Sequence, residues 1–301
     1  MNNVKLGTLL LKRKRSSDSP PASIQPQLRI AYRIVRPSLL NSDHSPLVLI
    51  HGGPSLASEY LNPIVDEALL KNRSIILYDQ LGCGWSSAPS QNDFYGVKNM
   101  ALDLRELLWH FHECHNMKQY HLLGHSLGGA IGYELIKLNT SLNKNTEKMP
   151  TCLSFILSNA STNFKLSENE RRRLYDQIRK QQNSSSDIAE DHYDIFFSRH
   201  ICRNKQVPNV LQMALTRQGK EWSANTYVAT PVDADKTKEF PRVLIIRGEH
   251  DFVTEKCTIG WSDLIGKALL EVVLSGCAHY PHLECPNQYT EEIQRFCNSN
   301  E

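Results

Sequence analysis

Short, almost continuously apolar runs alternate along this chain with longer stretches in which apolar positions recur at helical spacing. The runs fall at 28–36, 46–51, 74–79, 119–124, 153–158, 242–248 and 270–275. The helix-period stretches fall at 57–70, 97–115, 127–139, 256–267 and 286–297. This strand–helix rhythm predicts the α/β class, a mostly parallel central sheet with helices on both faces. The rhythm breaks between 163 and 238, where mixed-charge, helix-forming sequence replaces it. That interval is expected to be a helical cap over the sheet edge, leaving 28–162 and 239–301 as the core. Within it, 183–187 (Asn-Ser-Ser-Ser-Asp) reads as a loop joining cap helices. Arg171-Arg172-Arg173 reads as a solvated helix face, with binding of an acidic substrate group as the functional alternative.

The first 27 residues have another character. Leu9-Leu-Leu-Lys-Arg-Lys-Arg15 leads into a Ser/Pro-rich run, a composition that predicts a mobile basic tail. Such a cluster suits a nuclear signal, an organellar transit peptide or a plain solvated tail, and the default expectation is a cytoplasmic protein. The 34 basic and 32 acidic residues nearly balance, which gives no electrostatic case for nucleic acid or a membrane surface as partner. No stretch approaches the roughly 18–20 apolar residues of a spanning helix. The eight cysteines are scattered without a CxxC pair and are expected to be reduced thiols of an intracellular protein. Nothing in the chain specifies an oligomeric state.

The chemistry concentrates at Gly124-His125-Ser126-Leu127-Gly128, an apolar strand running into a glycine-flanked serine and then a helix. A tight strand-to-helix turn of this kind lifts a serine hydroxyl above the sheet and forces positive φ on it. A serine needs a base and an orienting carboxylate, and in this layout they follow in the order Ser, Asp or Glu, His. Two later strand patterns deliver Asp251 and His279 just past their C-terminal ends, on the same sheet edge. The expected roles are nucleophile for Ser126, general base and acid for His279, and orienting group for Asp251. Glu249 and His250 are alternatives to Asp251, and His282 to His279. Cys277, His279, His282 and Cys285 also form a ligand-type cluster, but with gaps unlike a zinc knuckle, so no metal is expected. His282 and Glu284 are expected to brace the histidine loop. The oxyanion donors are expected from the backbone N–H of Leu127 and of Gly53, in the loop His51-Gly52-Gly53-Pro54 that ends the 46–51 strand. Lining the substrate site, we expect His51, Gly52, Pro54, His125 and Phe252.

Four blocks together carry a resemblance: His51-Gly-Gly-Pro54, Tyr78-Asp-Gln-Leu-Gly-Cys-Gly-Trp-Ser86, Gly124-His-Ser-Leu-Gly-Gly129, and Gly248-Glu-His-Asp251 with His279-Tyr-Pro-His-Leu-Glu284. The chain resembles the α/β-hydrolase fold and, within it, the proline iminopeptidase group of serine peptidases, over roughly residues 28–300. The resemblance implies a Ser-His-Asp hydrolase that releases an N-terminal residue from small peptides through an acyl-enzyme, with no metal or cofactor. The departures point elsewhere. Ser55 stands where the family's first block continues with glycine. Phe252 stands where an amine-recognising glutamate usually follows the aspartate, and the family's second glutamate has no counterpart among Glu221 and Glu239. An apolar residue at 252 suits an ester or other neutral acyl substrate.

Overall fold

A computed structural model of the chain describes residues 3–12, 27–66, 70–141, 149–182, 192–217, 219–220, 222–224 and 226–301. Its centre is an eight-stranded sheet: β1 Val4–Leu10, β2 Arg29–Val35, β3 Leu47–Ile50, β4 Ile75–Tyr78, β5 Gln119–His125, β6 Thr151–Ser158, β7 Arg242–Gly248 and β8 Leu270–Leu274. The strands lie in the order β1-β2-β4-β3-β5-β6-β7-β8. The first two pairings are antiparallel and the rest parallel. The successive-apolar runs have the cause expected of them. Val48, Ile76 and Leu122 face a cluster built with the helices Val97–His115 and Leu127–Ser141. Their neighbours Leu49, Leu77 and Leu123 face a second cluster with Ile293 and Phe296 of the helix Pro286–Asn298. Period-two alternation thus puts apolar side chains on both covered faces along β3 and β4 and through the middle of β5.

Three elements differ from the sequence reading. Val4–Leu10 is not part of a tail: it pairs along its whole length with β2, from Val4 opposite Val35 to Leu10 opposite Arg29. Leu9 packs against the core and Leu11 is buried in it, so the leucines that seemed to introduce the basic cluster belong to a strand instead. Residues 13–26, with most of the basic cluster, and the 183–187 segment lie outside the described residues. The 57–70 stretch begins as a 3-10 turn, Ser58–Leu61, before the short helix Asn62–Asp66. The 256–267 stretch is cut at Gly260 into Glu255–Thr258 and Trp261–Ile265. Between β6 and β7 stand the helix Phe164–Gln182, the helix His192–Phe196, the π-turn Phe197–Ile201 and the helix Asn209–Thr216. Among the described residues no helix is long and apolar enough to cross a membrane.

Candidate active site

Ser126 follows the last residue of β5 at φ 53°, and the helix Leu127–Ser141 begins at the next residue. Two glycines make the turn sterically feasible. A Cβ on Gly124 would lie 2.4 Å from the Gly128 carbonyl oxygen, and one on Gly128 only 2.3 Å from that of Ile50. The Ser126 N–H donates to the Ser158 carbonyl at 2.8 Å, fixing the turn against the end of β6.

Asp251 follows β7 and His279 follows β8, both buried. The His279 Nδ1–H donates to Asp251, 2.9 Å from Oδ1 and 3.1 Å from Oδ2. The carboxylate has two further donors, the Val253 N–H on Oδ1 at 2.9 Å and the Asn159 Nδ2–H on Oδ2 at 2.6 Å. Asn159 also donates to the Ala278 carbonyl at 3.1 Å and holds φ 52°, a conformation asparagine tolerates better than most residues. It is the residue that sequence reasoning missed. The available signal was its place, a polar side chain directly after the apolar β6 run, on the edge that carries Ser126.

Ser126 and His279 line one cavity of about 390 Å³ beside the helices between β6 and β7, with Gly53, Pro54, His125, Leu127, Asn159 and Phe252 among its walls. The Phe252 ring lies 4.6 Å from that of His279 and makes this wall apolar. Two residues expected at the substrate are elsewhere. His51 is fully buried, donates from Nδ1 to the Gly52 carbonyl at 2.8 Å and accepts the Gln80 N–H at Nε2, 2.9 Å away. Burial keeps its pKa low and the ring neutral. It locks the first loop to the Asp79-Gln80 block and does not line the cavity. Gly52 points its N–H the same way, to the Tyr60 hydroxyl at 2.6 Å. That hydroxyl then donates to His125 Nδ1 at 2.8 Å, and His125 Nε2–H donates to the His279 carbonyl at 2.7 Å. His125 therefore forms part of the wall with both nitrogens already engaged, and burial drives its pKa well down.

The alternatives weighed from sequence separate cleanly. The exposed Glu249 accepts Ser275 Oγ–H and the Gly276 N–H, while the His250 carbonyl accepts the His200 Nδ1–H. His282 lies buried below the cavity with Nε2–H on the Tyr60 carbonyl at 3.2 Å, its pKa pushed down to about 3 by burial. Cys277 and Cys285 are joined in a disulfide, which corrects the expectation that every cysteine is a reduced thiol. With those sulfurs bonded to each other and His279 turned to Asp251, the four residues do not converge on a point. Among the described residues no group of three or more His, Cys, Asp or Glu side chains could hold a metal ion.

The remaining motif residues are scaffolding. Asp79 accepts the N–H and Oγ–H of Ser58 and the Trp85 N–H, folding its block into a bracket behind the first loop. Ser55 sits at φ 77°, in the left-handed region that favours glycine. Its carbonyl accepts the Gly219 N–H at 2.8 Å and its hydroxyl donates to the Lys220 carbonyl at 3.2 Å, tying this loop to the cap. Glu284 gathers three backbone N–H groups, those of Ala278 and Arg203 on Oε2 and of Tyr280 on Oε1, each at 2.9 Å. The 201–204 stretch touches the same loops directly: His279 N–H donates to the Ile201 carbonyl at 3.0 Å, Arg203 Nε–H to Gly276 at 3.0 Å, and Asn204 Nδ2–H to Leu283 at 2.9 Å. Of the acidic candidates for an amine anchor, Glu221 lies outside the described residues. Glu239 ends the turn Thr237–Glu239 before β7 and is not among the cavity walls.

Known proteins are similar to this chain in sequence and in fold. The chain is 27% identical to a proline iminopeptidase of Clostridium botulinum, covering 90% of this chain and 94% of that one. Among solved structures, VinJ superposes with a TM-score of 0.72 at 21% identity, covering 94% of this chain and all of VinJ. A proline iminopeptidase of Mycobacterium smegmatis gives 0.69 at 20% identity, covering 91% of this chain and 95% of that one. The family profile described as the alpha/beta hydrolase fold matches residues 45–286, and the chain belongs to that family.

Proposed function

We propose that this protein is a serine acyl hydrolase with Ser126 as nucleophile, His279 as general base and acid, and Asp251 as the carboxylate that orients His279. One observation carries the reading: a serine in the left-handed conformation shares a cavity with a buried histidine whose Nδ1 is engaged by a buried carboxylate. With Nδ1 protonated, the Nε2 lone pair is left to take the Ser126 proton. Ser126 Oγ adds to the substrate carbonyl carbon, and the negative charge moves to the carbonyl oxygen. The N–H groups of Gly53 and Leu127 stabilise it there. The Leu127 amide heads a helix, where amides lack intrahelical acceptors and the dipole favours an anion. One such donor is worth about 10²–10³ in kcat. His279 then protonates the leaving group, and water deprotonated by the same nitrogen frees the acyl group.

Carboxylic esters and other neutral acyl compounds suit the cavity best. Phe252 presents an apolar face, and Glu168, the one carboxylate among the described wall residues, is already forked by Arg171. The second reading is release of an N-terminal residue from peptides, favoured by identity to proline iminopeptidases along most of the chain.

Initial rates on a short-chain p-nitrophenyl ester and a prolyl arylamide, with Ser126→Ala as blank, test both. Ester turnover is expected, with a loss of about 10⁴-fold or more in Ser126→Ala and an unchanged melting curve. Prolyl amide turnover without ester turnover selects the second reading. Substantial activity in Ser126→Ala refutes the nucleophile.

A further inference from the structure

The cavity at Ser126 adjoins a smaller space of about 280 Å³ lined by Glu168, Arg171, Arg172, Tyr175, Tyr193 and Phe196. Glu168, Arg171 and Tyr193 belong to the walls of both. The three consecutive arginines of the cap helix are sorted by helical rotation. Arg173 turns away and engages Glu170 at 2.9 Å, beside Thr254 and Lys256. Arg171 makes a fork on Glu168, Nε to Oε2 at 2.8 Å and Nη2 to Oε1 at 3.0 Å. Arg172 reaches the same carboxylate at 3.9 Å. The described walls of the joined spaces thus hold two guanidiniums against one carboxylate.

Resting on the acyl-hydrolase reading above, we infer that this side pocket selects acyl substrates whose far end carries a carboxylate, held by Arg171 with Arg172. A guanidinium has five N–H donors, and the fork on Glu168 uses two of Arg171's. A second carboxylate can therefore be bound while Glu168 stays in place and holds Arg171 in orientation. An ammonium has the opposite difficulty. The Glu168 charge that would attract it is already outweighed by Arg171 and Arg172, so an ammonium brought there meets net repulsion. Glu168 is a positioning residue here, and Arg171 the specificity-determining one. The pair is partly solvated, with side chains 31% and 45% exposed, so the selection is screened by salt.

Three p-nitrophenyl esters of matched length separate the possibilities: the adipate monoester, the hexanoate and the 6-aminohexanoate. We expect kcat/KM to fall in that order by about tenfold overall, chiefly through KM, and the spread to shrink in high salt. Arg171→Met brings the adipate-to-hexanoate ratio to about one, whereas Glu168→Gln raises it, because the amide oxygen still accepts an Arg171 N–H but no longer offsets its charge. A preference for 6-aminohexanoate that Glu168→Gln abolishes overturns the inference and makes Glu168 an amine anchor. A ratio insensitive to both variants overturns it as well. Calorimetric titration of Ser126→Ala with adipate and hexanoate is independent of turnover. Tighter adipate binding without ester hydrolysis supports the pocket and refutes the nucleophile, while hydrolysis without an adipate preference refutes the pocket alone.

Discussion

Glu284→Gln tests how His279, the proposed base, is held. One carboxylate receives three backbone N–H groups, two of them from Ala278 and Tyr280, the neighbours of His279. Glutamine offers one oxygen. If that oxygen keeps Ala278 and Arg203, its NH₂ confronts the Tyr280 N–H, and a buried donor left unsatisfied costs about 1–3 kcal/mol. Burial disfavours the Glu284 charge and pushes its carboxyl pKa up, so glutamine recovers part of that loss. The net destabilisation is about 1–2 kcal/mol, which for a domain of this size lowers the melting temperature by roughly 2–3 °C. Activity suffers more than stability, because misplacing a catalytic group by 1 Å costs on the order of 10²-fold. Paired urea titrations and ester kinetics read both quantities. A variant with wild-type kcat and melting temperature would show that this carboxylate does not position His279, and the reasoning would be wrong.

Two further outcomes are expected. Asn159→Gly keeps the left-handed backbone but removes the amide on Asp251 Oδ2; kcat should fall about tenfold or more with KM little changed, and steady-state kinetics showing an unaltered kcat would exclude that role. Burial depresses the pKa of His51, His121, His125 and His282, the second to about 4 and the last to about 3. Because the unfolded chain then binds more protons, stability is fully present above pH ~6.5 and is lost as pH falls toward 4. Each histidine contributes a slope of about 1.4 kcal/mol per pH unit inside its window. A urea midpoint that stays flat between pH 7 and 5 would contradict this.

The parts of the fold legible in the sequence are those with local causes. Strand runs read true because both sheet faces are covered, and Ser126, Asp251 and His279 stood out because each ends a strand on one edge. What escaped was non-local. β1 was obscured because the basic composition after Leu11 outweighed a short, mostly exposed strand whose partner, β2, begins only at Arg29. The bracing role of Asn159 depends on a residue 92 positions away. His51 looked like a substrate ligand because its neighbours Gly53 and Pro54 reach the cavity, and only the packing against Gln80 turns it inward. The Cys277–Cys285 pairing has no motif that distinguishes it from two scattered thiols.

The stitches between the 200–204 stretch and the loops carrying Asp251 and His279 have a consequence for how substrate range can change. The 200–204 stretch is fastened by His200 to His250, by Ile201 to His279, and by Arg203 and Asn204 to the histidine loop. At about 0.5–1.5 kcal/mol per bond, peeling it back is costly and drags His279 out of register. This side of the roof behaves as a fixed jamb. The helix Phe164–Gln182 carries the wall residues Ser167, Glu168 and Arg171, and their side chains bond within residues 163–171, Ser167 to the Asn163 carbonyl and Arg171 to Glu168. New substrates can be accommodated by redecorating that helix while the chemistry below is left untouched.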